Sequence, residues 1–248
     1  MQWSDEALVL GCRKHGESGV ILEVLTVSRG RHLGMVRGGR SRRLSAALQP
    51  GNSLQVTWSA RLADHLGSFT VEPVTQRAAS LMSSAVGTYG IQLLAAYVRL
   101  LPEREPHPQF ANAVLVSLNH LTDPHIAGPV MVRMEAALLQ ELGYRLDLET
   151  CAATGDTENL TFVSPKSGRA VSEAAAQPYR DRLLPLPAFL TASASGEAEL
   201  ADVIAGFRLT GYFMHKHIFD PLGIDEPAPR AGFLTALERQ WNLLESGE

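Results

Sequence analysis

A chain of 248 residues with 45% hydrophobic and 19% charged residues suits two modest globular domains, or one large one, and is not disordered. No apolar run approaches the ~18 residues of a membrane span, and "MQWSDEALVL" opens on acids, so neither a membrane helix nor a signal peptide is expected. Two cysteines, Cys12 and Cys151, are too few for a disulfide framework and suit a reducing cytoplasm.

The net charge of −4 hides an asymmetry. Residues 1–80 carry ten Lys+Arg against six Asp+Glu, whereas the remainder carries twelve against twenty. Between Glu23 and Asp64 there is no acid at all, while seven arginines fall there. Such a split suggests a polyanion-binding part joined to a scaffold or partner-binding part.

In chain order, "EALVLGCR" and "GVILEVLTVS" are rich in Val, Ile and Leu and read as strands. "SRGR" separates Val20–Val27 from His32–Val36, which predicts a hairpin with Gly30 at positive φ. Pro50-Gly51-Asn52 marks a turn before the alternating "LQVTWSAR", and "GSFTVEPV" supplies a fifth strand. Five short strands, interrupted between the third and fourth, fit a small OB-type barrel over residues 1–78.

From residue 79 the period becomes helical. Apolar positions 81, 82, 85, 86, 93, 94, 97, 98 and 101 lie roughly on one face, up to Pro102. "PEREPHP" reads as a linker, Pro108 as the first residue of a helix, and Asp123-Pro124 as an N-cap followed by a first-turn proline. That last helix should run to Gly143, with Gly128-Pro129 either kinking it or delaying its start. Residues 144–196 lose periodicity and read as irregular, and helical pattern returns at 197–223 and 229–245. The expected class is α+β: a barrel, then a helical domain over 79–248 carrying an irregular insertion at about 144–196.

The stretch "RGGRSRRLSA" (37–46) is the strongest functional signal. Its glycines allow close backbone approach and the arginine fork matches phosphate oxygens, although a solvated loop is the plain alternative. Arg29, Arg31, Arg37, Arg40, Arg42 and Arg43 are the candidate phosphate contacts, with Arg13 and Lys14 as additions. Residues 19–36 contain no Phe, Tyr or Trp, and Trp3, Trp58 and Phe69 are explained as well by core packing. Binding is therefore expected to rest on phosphates rather than on base stacking, on single and double strands alike. No phosphate loop, H-E-x-x-H or G-x-S-x-G motif nominates an enzyme. A metal-dependent nuclease is disfavoured by the lack of carboxylates over 24–63. A basic barrel fits an RNA-binding module as well as a DNA-binding one.

The order of "GESGVILEVLT", "GMVRGGRSRRLSAALQPGN", "RMEAALLQELGY" and "CAATG…VSPKSGRAVS" resembles the RecO family of bacterial recombinational-repair mediators, over residues 5 to 240. The resemblance implies an OB-fold N-terminal domain, a helical C-terminal domain, DNA binding and strand annealing. It also implies the partners RecR and the acidic tail of single-stranded DNA-binding protein (SSB). Arg133, beside the apolar stripe Met134, Leu138, Leu139 and Leu142, is the candidate for that tail, with Arg208 and Lys216 behind it. Many relatives hold a structural zinc with two Cys-x-x-Cys pairs. The matching positions here are Cys151 with Thr154 and Ser172 with Ala175, and no histidine lies between 126 and 214. One sulfur cannot build a four-ligand site, so no metal or cofactor is expected. Packing of Phe162, Val163, Leu183, Leu184, Leu186 and Phe189 should hold the insertion instead. "HKH" at 215–217 is read as surface or packed histidines.

Overall fold

The computed structural model describes residues 1–191 and 197–246. By contacts it falls into two compact units, Met1–Thr122 with Pro229–Ala236, and Asp123–Ala228 with Leu237–Glu248. The fold is α+β.

In the first unit, β1 (Gln2–His15), β2 (Gly19–Thr26), β3 (Gly30–Val36), β4 (Ser53–Ser59) and β5 (Ser68–Thr75) close into a barrel in the order β1-β2-β3-β5-β4. The long β1 makes closure possible. Its first half pairs with β4, from Gln2↔Ser59 to Leu8↔Ser53, and its second half with β2, down to His15↔Gly19. The register shifts between Val9 and Gly11, where a bulge turns the strand from one partner to the other. Gly30 takes φ +66° at the β2–β3 hairpin, as the turn requires. Inward-facing Val9, Val20, Leu22, Val24, Val36, Leu54 and Val56 form the core, and α1 (Arg42–Ala47) adds Ala47 and Leu44 to it. This is the OB-type barrel expected from five short strands.

Asn52 joins this barrel to the helix after it. Buried between α1 and β4, its amide nitrogen donates to the carbonyls of Ala46 (3.0 Å) and Ala47 (3.1 Å). Its amide oxygen accepts from the backbone N–H groups of Arg77 and Ala78, both at 2.9 Å. Its own carbonyl takes the N–H of Val9 (2.8 Å). One side chain thus satisfies the end of α1 and the start of α2 (Ala78–Met82).

The helical run from 78 is two helices, not one. α2 ends at Met82 and α3 spans Ala85–Val98, because the Ser84 hydroxyl accepts from the Gly87 N–H (2.9 Å) and caps a fresh start. Met82 is consequently exposed. α4 (Pro108–Ser117) begins on its proline as expected.

In the second unit, the Asp123 carboxylate accepts from the His125 N–H (2.9 Å) and opens α5 (Pro124–Glu141). Gly128-Pro129 do not delay its start; both lie buried inside the helix. A Cβ on Gly128 would come within 2.8 Å of Val203, so this bare position lets α7 (Leu200–Met214) approach. The insertion is not wholly irregular. β6 (Leu160–Val163) pairs with β7 (Ala170–Ser172) and with β8 (Leu184–Pro185) in a small sheet, and α6 (Glu173–Ala176) succeeds β7. The pattern was illegible because strands of two to four residues are too short for periodicity. Phe162, Val163, Leu186 and Phe189 are buried there, and Leu183 and Leu184 half-buried. Residues 192–196, at the end of the expected insertion, lie outside the described residues. α8 (Asp220–Leu222) and α9 (Pro229–Ser246) complete the chain, and no described helix is long and apolar enough to cross a membrane.

Replacing Asn52 with Ala should destabilise the protein by about 2–4 kcal/mol, since it strands several buried polar groups. Denaturant unfolding measures the shift. Asn52→Asp should not rescue it, because a carboxylate cannot donate to the Ala46 and Ala47 carbonyls.

Candidate nucleic-acid interface

The basic stretch folds into two parts. Arg37 to Arg40 form a loop after β3, in which Gly38 takes φ +64° and Gly39 packs so closely that a Cβ would meet Val20 at 2.5 Å. The bare Gly39 is therefore used for packing on β2. Ser41 then caps α1, accepting from the Leu44 N–H, and places Arg42 and Arg43 in the first turn. Cations there oppose the helix dipole, so they do nothing for the helix itself.

Arg40 staples this loop to the β1–β2 tip. Its backbone N–H donates to the Ser18 carbonyl (3.1 Å) and its guanidinium to the Glu17 carbonyl. The register Lys14↔Val20 and Val20↔Val36 brings the end of β1 across the sheet to the same end of the hairpin. Arg13, Lys14, Arg37, Arg40, Arg42 and Arg43 are thus gathered at this end, all exposed, together with Glu17. A groove of about 380 Å³ lined by Val36, Arg37, Leu44, Phe69 and Thr70 runs beside them.

Arg29 and Arg31 sit elsewhere. They flank the opposite end of the hairpin, with Arg31 six residues before Arg37, or about 20 Å at the usual strand rise. Arg31 is held by Glu23 Oε1 (3.1 Å), whose other oxygen accepts from both Nε and Nη2 of Arg99, the C-cap of α3, at 2.9 and 2.7 Å. Glu23, the last acid before the arginine run, thereby consumes one of its cations.

Arg29 remains exposed and lies over the Trp3 ring, 6.0 Å from its centroid. Beneath it, His32 is enclosed by Trp3, Trp58 and Phe69 with centroids at 5.0, 5.0 and 6.1 Å. Neither ring nitrogen of His32 has a hydrogen-bond partner. Arg104 covers Trp58 from above and donates to the carbonyls of Ala63 and His65. Sequence patterning missed Arg104, which sits in the stretch read as a linker, because its position depends on a loop forty residues away. Trp58 and Phe69 are core residues as expected, whereas Trp3 is only half-buried.

The three candidate partner contacts lie in the second unit. Arg133 is exposed on α5, but its guanidinium lies over the Phe189 ring (5.4 Å) and donates to the Phe189 carbonyl (2.9 Å). Arg208 is exposed on α7. Lys216 is eight residues further, about 12 Å along a helix, and is half-buried with its ammonium on the carbonyls of Pro165 (2.6 Å) and Lys166 (3.3 Å). His215, Lys216 and His217 belong to a π-helical turn, His215–Phe219. There His217 stacks on Tyr144 at 4.5 Å.

The family model described as "Recombination protein O N terminal" matches residues 1–77, and "Recombination protein O C terminal" matches 78–224. The chain belongs to the RecO family. A protein named DNA repair protein RecO from Chelativorans sp. (strain BNC1) is 54% identical over 96% of this chain and 96% of its own length. Proteins of the same name from Rhizobium etli (52%, over 98% of this chain and 94% of theirs) and Agrobacterium fabrum (53%, over 97% and 96%) are similar throughout.

The zinc that the RecO resemblance implied does not suit the residues present. Cys151 and Ser172 do come together, with Sγ and Oγ 3.4 Å apart and the Ser172 N–H donating to the sulfur. One thiol and one hydroxyl are not a tetrahedral zinc donor set, and no group of three or more metal-binding side chains occurs among the described residues. Two hydrogen bonds replace metal bonds at this point of the small sheet.

Burial among the aromatic rings pushes the His32 pKa down from 6.5 to about 4, and the positive charges of Arg104 and Arg29 push the same way. The imidazole is thus harder to protonate folded than unfolded. The contribution of His32 to stability is therefore full above about pH 6.5 and is lost as the pH falls from there toward about 4. Replacing His32 with Phe should flatten that dependence, read from denaturation midpoints at pH 7 and 4.5.

Proposed function

We propose that this RecO-family protein is a non-enzymatic DNA-repair mediator that grips phosphates of single and double strands at one end of its barrel and anneals complementary strands. The observation that carries this reading is the gathering of Arg13, Lys14, Arg37, Arg40, Arg42 and Arg43 at one end of a closed barrel. Among the described residues, Arg13, Lys14, Arg37, Arg42 and Arg43 enter no ion pair, so their charge is available to a polyanion. Contacts to phosphate hold a strand without reading its sequence, and leave most bases free to pair with a second strand. Within the same proposal, RecR and the acidic SSB tail are its protein partners. Arg133 and Arg208, on the acidic helical part, are the cations offered to the tail.

With roughly four phosphates neutralised, the log–log salt slope should be about −3 for single strands and steeper for duplex. Replacing Arg40, Arg42 and Arg43 with Ala should reduce it by about two units, with a similar loss of affinity on every sequence. An unchanged slope and unchanged annealing would return the stretch to a solvated loop. Oligonucleotides of RNA in the same titration test the RNA-binding alternative.

For the partner surface, Arg133→Glu should weaken binding of an SSB-tail peptide while leaving the affinity for naked DNA within about twofold, since rim charges act locally. Titration with a labelled peptide and a labelled oligonucleotide separates the two. Equal loss of both would show that the surfaces are not distinct.

A further inference from the structure

The aromatic end of the barrel holds a cavity that phosphate gripping does not use. It measures about 390 Å³ and is lined by Gln2, Trp3, Arg29, His32, Trp58 and Arg104. That volume is in the range of small-molecule sites. Its composition is selective. Trp3 and Trp58 stack at 5.9 Å and 20°, so Trp58 covers one face of the half-buried Trp3, and the exposed side chain of Arg29 is what lies over its ring.

His32 is the anomaly. It is only 5% exposed, yet both its ring nitrogens lack partners. Unpaired buried polar groups cost about 1–3 kcal/mol, and native proteins contain few of them. Burial keeps this imidazole neutral, so it carries one N–H and one lone pair pointing apart across the ring, either of which can meet a single group of a ligand. The edge of a nucleobase carries the matching donors and acceptors, and its face carries the π surface that Trp3 can stack upon. Arg29 then stands where the nucleotide's own phosphate would lie.

We infer that this cavity is a base-holding subsite, which seats one unpaired nucleobase of a bound strand against Trp3 and His32. The inference rests on the DNA-binding reading above and adds a base contact to it. Seating the base requires Arg29 to swing off the Trp3 ring and the Trp3 indole, perpendicular to His32 at 5.0 Å, to turn and uncover the buried imidazole. The distance of about 20 Å from Arg31 to Arg37 along β3 is spanned by a few nucleotides, within the ~4–16 that an OB barrel holds. One strand can therefore lie across both ends of the hairpin, anchored by a base at one and by phosphates at the other. Paired bases cannot enter, so the subsite favours single strands and holds a single base, leaving its neighbours free to anneal.

The test uses the full chain and two oligonucleotides of equal length, one of thymidines and one wholly abasic. If the subsite exists, the wild-type protein binds the thymidine strand about tenfold more tightly than the abasic one, as one stacked base provides. Restoring a single thymine should recover most of the difference. Trp3→Leu should abolish the preference while leaving the salt slope and duplex affinity as they were. Trp3→Phe should keep it in part, and the tryptophan quenching on binding should shrink in both variants. Equal wild-type affinity for the two strands, with a steep salt slope, would overturn the subsite and leave the phosphate reading intact. A flat salt slope on both strands would instead overturn the phosphate reading. If Trp3→Leu lowers single-strand and duplex binding alike and reduces the slope, Trp3 merely positions Arg29, and the subsite is wrong.

Discussion

The first unit depends on the hydrogen bonds of one buried amide. Asn52 stands where α1 ends, β4 begins and the helical part departs, and its side chain bonds the backbone groups left over at the end of α1 and at the start of α2. A side-chain amide offers two N–H donors and a carbonyl acceptor together, which a hydroxyl with its single donor and a carboxylate with none cannot match. With it in place, α1 can plug the barrel, and β1 can lie against both β2 and β4. The glycine before it completes the arrangement, since the Gly51 N–H donates to the Val9 carbonyl while Val9 donates to Asn52.

Closure of the barrel has an electrostatic consequence. A run of arginines without acids would be a uniform positive stripe if the chain were extended. Folding divides it, because β2 and β3 form a hairpin and its two ends lie about 20 Å apart. Glu23 then pairs with Arg31 and with Arg99 at the end of α3, so the same residue trims the positive field and fastens a helix end to the barrel. Such a partly buried bridge adds specificity of docking more than raw stability. What remains is a dense cationic end around Arg37–Arg43 and a sparser, aromatic end around Trp3 and His32.

The second unit solves a different problem. Its small sheet lacks the thiolates for zinc, and buries Phe162, Val163, Leu186 and Phe189 instead, with Cys151 and Ser172 bonded to each other. Its helices approach through bare positions, Gly128 on α5 and Gly206 on α7, where a Cβ would meet Val203 at 2.8 Å and Val132 at 2.9 Å. Beside that contact, Glu135 is fully buried and accepts from the Thr210 hydroxyl, one polar link within an apolar seam.

Local pattern in the chain was enough for the elements and the signs of charge. Five strands, the Gly30 hairpin, the Pro108 and Asp123-Pro124 helix starts and the acid-free arginine run were legible, because period, caps and turn residues act within a few positions. The order of its motifs also carried the family. Which cations share a surface was settled only by folding, since register and barrel closure join residues such as Lys14, Val20 and Val36 that no local pattern links. Folding also made Asn52 a joint rather than a turn, and split one apolar helical face at Ser84. It enclosed His32 in three aromatic rings drawn from β1, β4 and β5. Those outcomes rest on pairings between distant segments, and burial, which sets both the cost of an unpaired imidazole and the reach of an arginine, exists only once those segments meet.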